Sequence, residues 1–390
     1  MKRRSLLSII LGAILLFSSL GALGCGSGSE NGGDNTGGGV TANNDYVLSG
    51  DHYVLSTYTG SEEVLTIKSE INGIPVTQIA EDALEENQTV TKVIIPDSIT
   101  KMGEYAFYKC TSLVEVQMGN GITQIATSAF DGCSKLKTVK FPSGLISIGK
   151  RAFYNCPIEE INLPNSVKTI NEKAFYQNRD VKTFTFPNSL TTLGNESFKN
   201  CMSLETINVN TELEEIKSST FENCQSLKNV NFAMDGKLKR INSAAFLGAK
   251  SIEQLKFPDS LKVIEFAAFY NCKGLRKVEF GKKIEYIGGN VSSTHGGAFG
   301  EFVAEEDTDN VHILEMIFPE EAIGFGWYPT LRPYNDILIR SYGKADGSQD
   351  DLYFITPEEI RNNEARQQLC QNMTGYSWTK CTTPNPDRAK

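Results

Sequence analysis

Leu136-Lys137-Thr138-Val139-Lys140-Phe141-Pro142-Ser143-Gly144-Leu145-Ile146-Ser147-Ile148-Gly149-Lys150-Arg151-Ala152-Phe153-Tyr154-Asn155-Cys156 is the stretch from which the fold can be read. In its first half Leu136, Val139 and Phe141 are apolar and the residues beside Val139 are polar, the pattern of a short strand with one buried face. Pro142 then ends strand pairing, because it has no N–H to donate. In the second half Ile148, Ala152 and Phe153 recur at spacings of four and one. That places them on one inward side of a crossing that is either a short turn of helix or irregular.

The same unit recurs along the chain. A small residue followed by Phe occurs at Ala106-Phe107, Ala129-Phe130, Ala152-Phe153, Ala174-Phe175, Ser197-Phe198, Thr220-Phe221, Ala245-Phe246, Ala268-Phe269 and Ala298-Phe299. The intervals between the phenylalanines are 23, 23, 22, 23, 23, 25, 23 and 30 residues. A fixed period of this size marks a repeat architecture. One unit cannot bury its own apolar face, so neighbours must stack with their strands side by side, about 4.8 Å apart, and nine coils then span roughly 40 Å. Small residues before each Phe let adjacent coils approach closely.

The phrase L-x-x-[IV]-x-F-P-x-S-[LV]-x-x-I-G-x-x-A-F-x-x-C resembles the BspA-like, or Treponema-type, leucine-rich-repeat family of bacterial surface proteins, over about residues 64 to 300. The resemblance implies an α/β repeat solenoid, right-handed, with a parallel sheet and short helical or irregular crossings. It implies adhesion or surface interaction as a function class, and the repeat itself carries no chemistry.

The flanks divide the rest of the chain. Lys2-Arg3-Arg4 followed by an apolar stretch from Leu6 to Leu23 reads as an export signal. Gly21-Ala22-Leu23-Gly24-Cys25 resembles a lipobox, which makes Cys25 the expected lipid-attachment residue. Residues 26–44 are nearly all Gly, Ser, Asn and acid, and 19 such residues behave as a tether with an average reach of about 25 Å. The expected organisation is therefore a signal peptide at 1–24, a tether at 25–45, a cap and degenerate first repeat at 46–88, repeats at 89–300 and a C-terminal cap region at 301–390. Tyr46 to Leu55 reads as a hairpin around Ser49-Gly50-Asp51, and Ile79, Ala83 and Leu84 stand in the Ile, Ala and Phe places of the first repeat. Thr356-Pro357-Glu358-Glu359 has the composition of a helix start.

Charge and chemistry narrow the function. Taking away Met1–Gly24, with three basic and no acidic residues, leaves 35 basic groups against 47 acidic, a net −12. With no basic run outside the signal, nucleic acid is not an expected partner. The histidines, His52, His295 and His312, are widely separated and no metal or nucleophile motif is present, so no cofactor, metal or catalytic activity is expected. Glu305-Glu306-Asp307 with Asp309 reads as a solvated acidic loop in preference to a calcium site. Cys110, Cys133, Cys156, Cys201, Cys224 and Cys272 each lie three places after the repeat Phe, or its equivalent, and should form a buried column of free thiols, with Asn178 and Ala249 standing in elsewhere. Cys370 and Cys381, in the tail, are candidates for a disulfide.

What remains is the exposed row of the sheet, expected to run through Lys92/Ile94, Glu115/Gln117, Thr138/Lys140, Glu160/Asn162, Thr183/Thr185, Thr206/Asn208, Asn229/Asn231, Gln254/Lys256 and Lys277/Glu279. Its uncharged middle, Thr183, Thr185, Thr206, Asn208, Asn229 and Asn231, is the candidate ligand-binding patch, suited to hydrogen-bonding an extracellular protein or a glycan. Thr and Asn also suit any exposed sheet, whatever it binds. The expected function is a lipid-anchored, non-catalytic binding module at the cell surface or outer membrane, in contact with membrane through its lipid alone. The alternatives are an envelope spacer without a specific ligand, or an enzyme with its site in the C-terminal region.

Overall fold

The computed structural model describes residues 45–284, 286–287, 298–299, 313–319, 326–327 and 336–342. They form a parallel β-solenoid of about 10 turns. Each coil turns its apolar residues into one continuous core that runs from Tyr46 to Phe299.

The most regular part of each coil is the corner that carries the Phe. The Phe107 N–H donates to the Ala129 carbonyl at 2.8 Å, and the same bond recurs from Phe130, Phe153, Phe175, Phe198, Phe221 and Phe246 to Phe269, whose N–H reaches the Ala298 carbonyl at 2.7 Å. Leu84 makes it too, to Ala106 at 2.7 Å, so the degenerate first repeat joins the same seam. Behind the backbone the nine Phe rings stack with centroids 4.9–5.6 Å apart and planes within 20° of parallel.

Of the two forms open to the crossing, the irregular one is found, and no helix occurs among the described residues. The reason lies in the backbone on either side of the Phe. The residue two before it has a left-handed conformation in coil after coil, as at Tyr105 (φ 57°), Arg151 (54°) and Ser219 (55°). So does the residue two after it, as at Asn155 (55°), Asn200 (64°), Asn223 (60°) and Gly132 (78°). Two left-handed residues in five residues cannot belong to a right-handed helix. In place of a helix the second half of the coil contributes a parallel ladder of two-residue strands: Gln124–Ile125, Ser147–Ile148, Thr169–Ile170 and Thr192–Leu193 pair in order. A further series runs from Glu215–Ile216 to Gly326–Trp327.

The first-half strands form the main ladder, and that ladder is broken twice. Val64–Thr66, Lys92–Ile94, Glu115–Gln117 and Thr138–Lys140 make one block. Thr183–Thr185, Thr206–Asn208 and Asn229–Asn231 make the second. Gln254–Lys256, Lys277–Glu279, Ile313–Pro319 and Asp336–Tyr342 make the third. The continuous row expected from the sequence is thus corrected at Glu160/Asn162, which lie outside any strand. Both breaks fall at coils that depart from 23 residues. The coil between Phe153 and Phe175 has 22, because Pro157 alone separates Cys156 from Ile158 where other coils have two residues. The coil between Phe221 and Phe246 has 25, with a longer loop at Ala233–Lys237.

At the N-terminal end Tyr46–Ser49 and His52–Leu55 pair antiparallel around Gly50, as a hairpin. Asp45, placed in the tether on sequence, already belongs to the fold: it is buried and accepts hydrogen bonds from the Thr59 N–H and hydroxyl at 3.0 and 2.7 Å. The signal, the rest of the tether, the acidic run Glu305–Asp309 and the expected helix start at Thr356 lie outside the described residues.

The six repeat cysteines are free and buried. They do more than fill space. Each thiol donates to the carbonyl of the Phe, or of Leu84, one coil back, as from Cys133 to Phe107 at 3.1 Å and from Cys224 to Phe198 at 3.2 Å. Asn178 does the same through Nδ2, to Phe153 at 2.8 Å, which explains why an amide replaces a thiol in that coil. Burial pushes the Cys133 and Cys224 thiols well above their ordinary range, which disfavours the nucleophilic thiolate.

Two outcomes are expected. Phe175→Ala removes a fully buried ring from the middle of the stack and should lower the unfolding free energy by about 3–5 kcal/mol in a urea titration. The six repeat thiols should resist iodoacetamide in the native protein and be alkylated together once the chain is unfolded, as mass spectrometry would show.

Candidate functional site

The six Thr and Asn residues singled out on sequence are brought together on the middle block. Register aligns Thr183 with Thr206 and Thr206 with Asn229; Thr185 aligns with Asn208 and Asn208 with Asn231. Their inward neighbours Phe184, Ile207 and Val230 are buried, so strand alternation turns the polar side chains outward.

These side chains are already bonded to one another. Asn231 Nδ2 donates to Asn208 Oδ1 at 2.8 Å, and Asn208 Nδ2 donates to Thr185 Oγ1 at 3.0 Å, which links three coils in one row. In the parallel row Asn229 Nδ2 donates to Thr206 Oγ1 at 3.1 Å. A row held in this way loses little side-chain freedom when it meets a ligand. It still offers the Thr185 hydroxyl as a donor and the Asn231 amide oxygen as an acceptor.

The sequence did not reveal that this patch borders a cleft. A cavity of about 940 Å³ opens at the first ladder break, between residues 159–165 and 180–188. Phe141, Leu163 and Phe186 supply apolar wall, Glu160, Asp180 and Lys182 supply charge, and Thr183 and Thr185 form part of the rim. The 22-residue interval in the sequence was the available signal for it. A smaller cleft, about 310 Å³, is lined by Lys228, Lys250, Ser251, Glu253, Gly274 and Arg276 near the second break.

Other candidate chemistry stays dispersed. Among the described residues no three His, Cys, Asp or Glu side chains come together to hold a metal, and no helix is long and apolar enough to cross a membrane. His52 lies against Asp51 Oδ1 (3.1 Å) and the Gln78 amide (2.8 Å), opposite Ser49 in the N-terminal hairpin. Cys25, Cys370 and Cys381, with His295 and His312, lie outside the described residues.

A family model described as the BspA-type leucine-rich-repeat region matches residues 64–182 and 168–295, in six copies. Among solved structures, a leucine-rich repeat protein from Bacteroides ovatus is similar at 21% identity, over 76% of this chain and 88% of that one, with a TM-score of 0.53. The leucine-rich repeat protein of T. pallidum aligns at 24% identity over 54% of this chain and 90% of that one, with a TM-score of 0.43. A leucine-rich cell surface protein from Faecalibacterium prausnitzii aligns at 19% identity over 78% and 95%, with a TM-score of 0.37. The Bacteroides ovatus protein shares the fold. No curated protein matches the chain significantly.

Exposed side-chain hydrogen bonds contribute about 1 kcal/mol or less each. Asn208→Ala is therefore expected to change the unfolding free energy by no more than about 1–2 kcal/mol for the two bonds it removes, measured in urea. A loss of several kcal/mol would make the row a brace for the solenoid, not a surface for a ligand.

Proposed function

Since the chain belongs to the BspA-type leucine-rich-repeat family, we propose that it is a non-catalytic binding module, exported and lipid-anchored through Cys25, that recognises an extracellular protein or glycan with its Thr/Asn face. Proteins built from this repeat generally mediate protein interaction. The observation that carries the reading for this chain is the prearranged row Thr185–Asn208–Asn231, outward-facing and uncharged, on a block of the sheet bounded by two breaks. Its amide and hydroxyl groups match the donors and acceptors of peptide or sugar, and a ligand there gains hydrogen bonds without desolvating a charge.

The export signal, the lipobox-like sequence at Cys25 and the Gly/Ser/Asn tether support presentation of the repeats away from a membrane. The spacer alternative has no comparable feature, since a spacer needs no prearranged polar row. For an enzyme that uses a metal, the described residues offer no cluster of three or more His, Cys, Asp or Glu side chains that could hold one.

The test is capture of glycans and extracellular proteins on arrays by the full-length chain, beside a version carrying Thr183→Lys, Thr185→Lys, Thr206→Lys and Asn208→Lys. Four added positive charges on the patch should abolish the hits of the parent while leaving its thermal unfolding nearly unchanged. Hits retained by the lysine version would move recognition to the ends of the solenoid. Silence from the parent would favour the spacer.

A further inference from the structure

Between the first and second blocks of the main ladder, one coil withholds its strand. Glu159 still donates its N–H to the Lys137 carbonyl at 3.1 Å, but no backbone hydrogen bond joins residues 160–163 to the coil on either side. The Thr183–Thr185 strand therefore has one satisfied edge and one open edge. In its parallel pairing with Thr206–Asn208, the inward residues bond towards that partner, as Phe186 N–H does to the Asn208 carbonyl at 3.0 Å. Backbone groups alternate sides along a strand, so the N–H and C=O of Thr183 and Thr185 point the other way, into the cleft of about 940 Å³. An open edge of this kind is a template for another strand.

We propose that this cleft takes up an extended peptide segment of a partner protein, which adds as a strand to the open edge at Thr183–Thr185 and carries a basic residue opposite Glu160 and Asp180. This is strand addition, in which main-chain hydrogen bonds give affinity and alternate side chains give specificity. The apolar wall of Phe141, Leu163 and Phe186 receives one side of the peptide. Charge selects its sequence: Glu159 is engaged by Lys137 at 2.9 Å, whereas Glu160 and Asp180 make no ion pair and outnumber Lys182. The proposal rests on the reading of this face as a binding surface and names the ligand class, a peptide in place of a glycan.

The missing residue beside Pro157 supplies the decisive variant. Pro157→Ser with a lysine inserted after it restores the two-residue spacer seen at Ser134-Lys135, returns the coil to 23 residues and should close the ladder over the cleft. A random octapeptide library displayed on phage is selected on the full-length chain, and the enriched peptides are synthesised with fluorescein for anisotropy titrations. Selection should enrich Lys or Arg at alternate positions. Binding should fall about tenfold or more in the insertion variant, and equally when alternate amides of the peptide are N-methylated, since each loss removes two or more backbone hydrogen bonds. Glu160→Lys with Asp180→Lys, which leaves the backbone intact, should weaken the same peptides and guards against an insertion variant that misfolds.

An empty selection, or peptides that bind N-methylated and unmethylated alike, would overturn the proposal. The two readings fail separately. If the insertion variant loses its peptides while Asn229→Lys with Asn231→Lys keeps every ligand, the cleft stands and the wider face does not. If array ligands are lost with the face variants and untouched by the insertion, the face stands and strand addition is wrong.

Discussion

The Phe corner is the constraint on which the rest of this solenoid depends. Each corner joins its neighbour twice, by a main-chain hydrogen bond of 2.7–2.9 Å from the Phe N–H and by ring stacking at 4.9–5.6 Å. The backbone on both sides of the ring is left-handed, and it is so at Asp82 and Glu86 around Leu84 as well, where no ring is present, so the conformation goes with the seam hydrogen bond. That conformation removes the helix and sends the chain back along a second, two-residue ladder. Where Cys or Asn stands three places on, its thiol or amide then closes the buried carbonyl of the ring one coil back, as at Cys133 and Asn178.

Because the corner seam is unbroken from Leu84 to Phe299, the main sheet is free to vary. A residue lost beside Pro157 unpairs a strand without unstacking Phe153 from Phe175, whose rings remain 5.4 Å apart and 5° from parallel. Two extra residues in the loop at Ala233–Lys237 leave Phe221 and Phe246 at 5.2 Å. Length changes that would slip the register of an ordinary sheet are absorbed here, since register is set at the corner and not by the strands. Surface features, including the cleft and the isolated Thr/Asn block, arise where the sheet departs from its period.

How far the sequence could be read follows from the same division. The stack of Phe, the small residues beside it and the inward Val and Ile of the strands are apolar and periodic, so they are legible as a solenoid core. The crossing was not, because apolar spacing at Ile148, Ala152 and Phe153 does not separate a helical turn from a corner between two left-handed residues. Asn155, Asn200, Asn223 and Asn271, with Gly132 and Gly248, held that information, since Asn and Gly tolerate positive φ best. The cysteine column reads from composition as apolar, while Asn178 in the same column shows that the place accommodates a donor, although Ala249 fills it without one. The Thr/Asn patch was found by alternation alone. Its hydrogen-bonded rows and its neighbouring cleft depend on cross-coil geometry and on an interval of 22 in a series of 23, which periodicity arguments average away.

The separation of seam from sheet also has a mechanical meaning. A chain pulled from its ends loads a solenoid one coil at a time, and a 23-residue coil that peels away yields about 80 Å of extended chain. The two ladder breaks divide the resistance, because within a block both ladder and seam must rupture, whereas at a break the seam and the two-residue strands hold alone. Tension would therefore be released in three stages set by the blocks. A protein drawn out under load would give way first at the coils of irregular length, and the intact blocks would stay folded as separate beads on the lengthened chain.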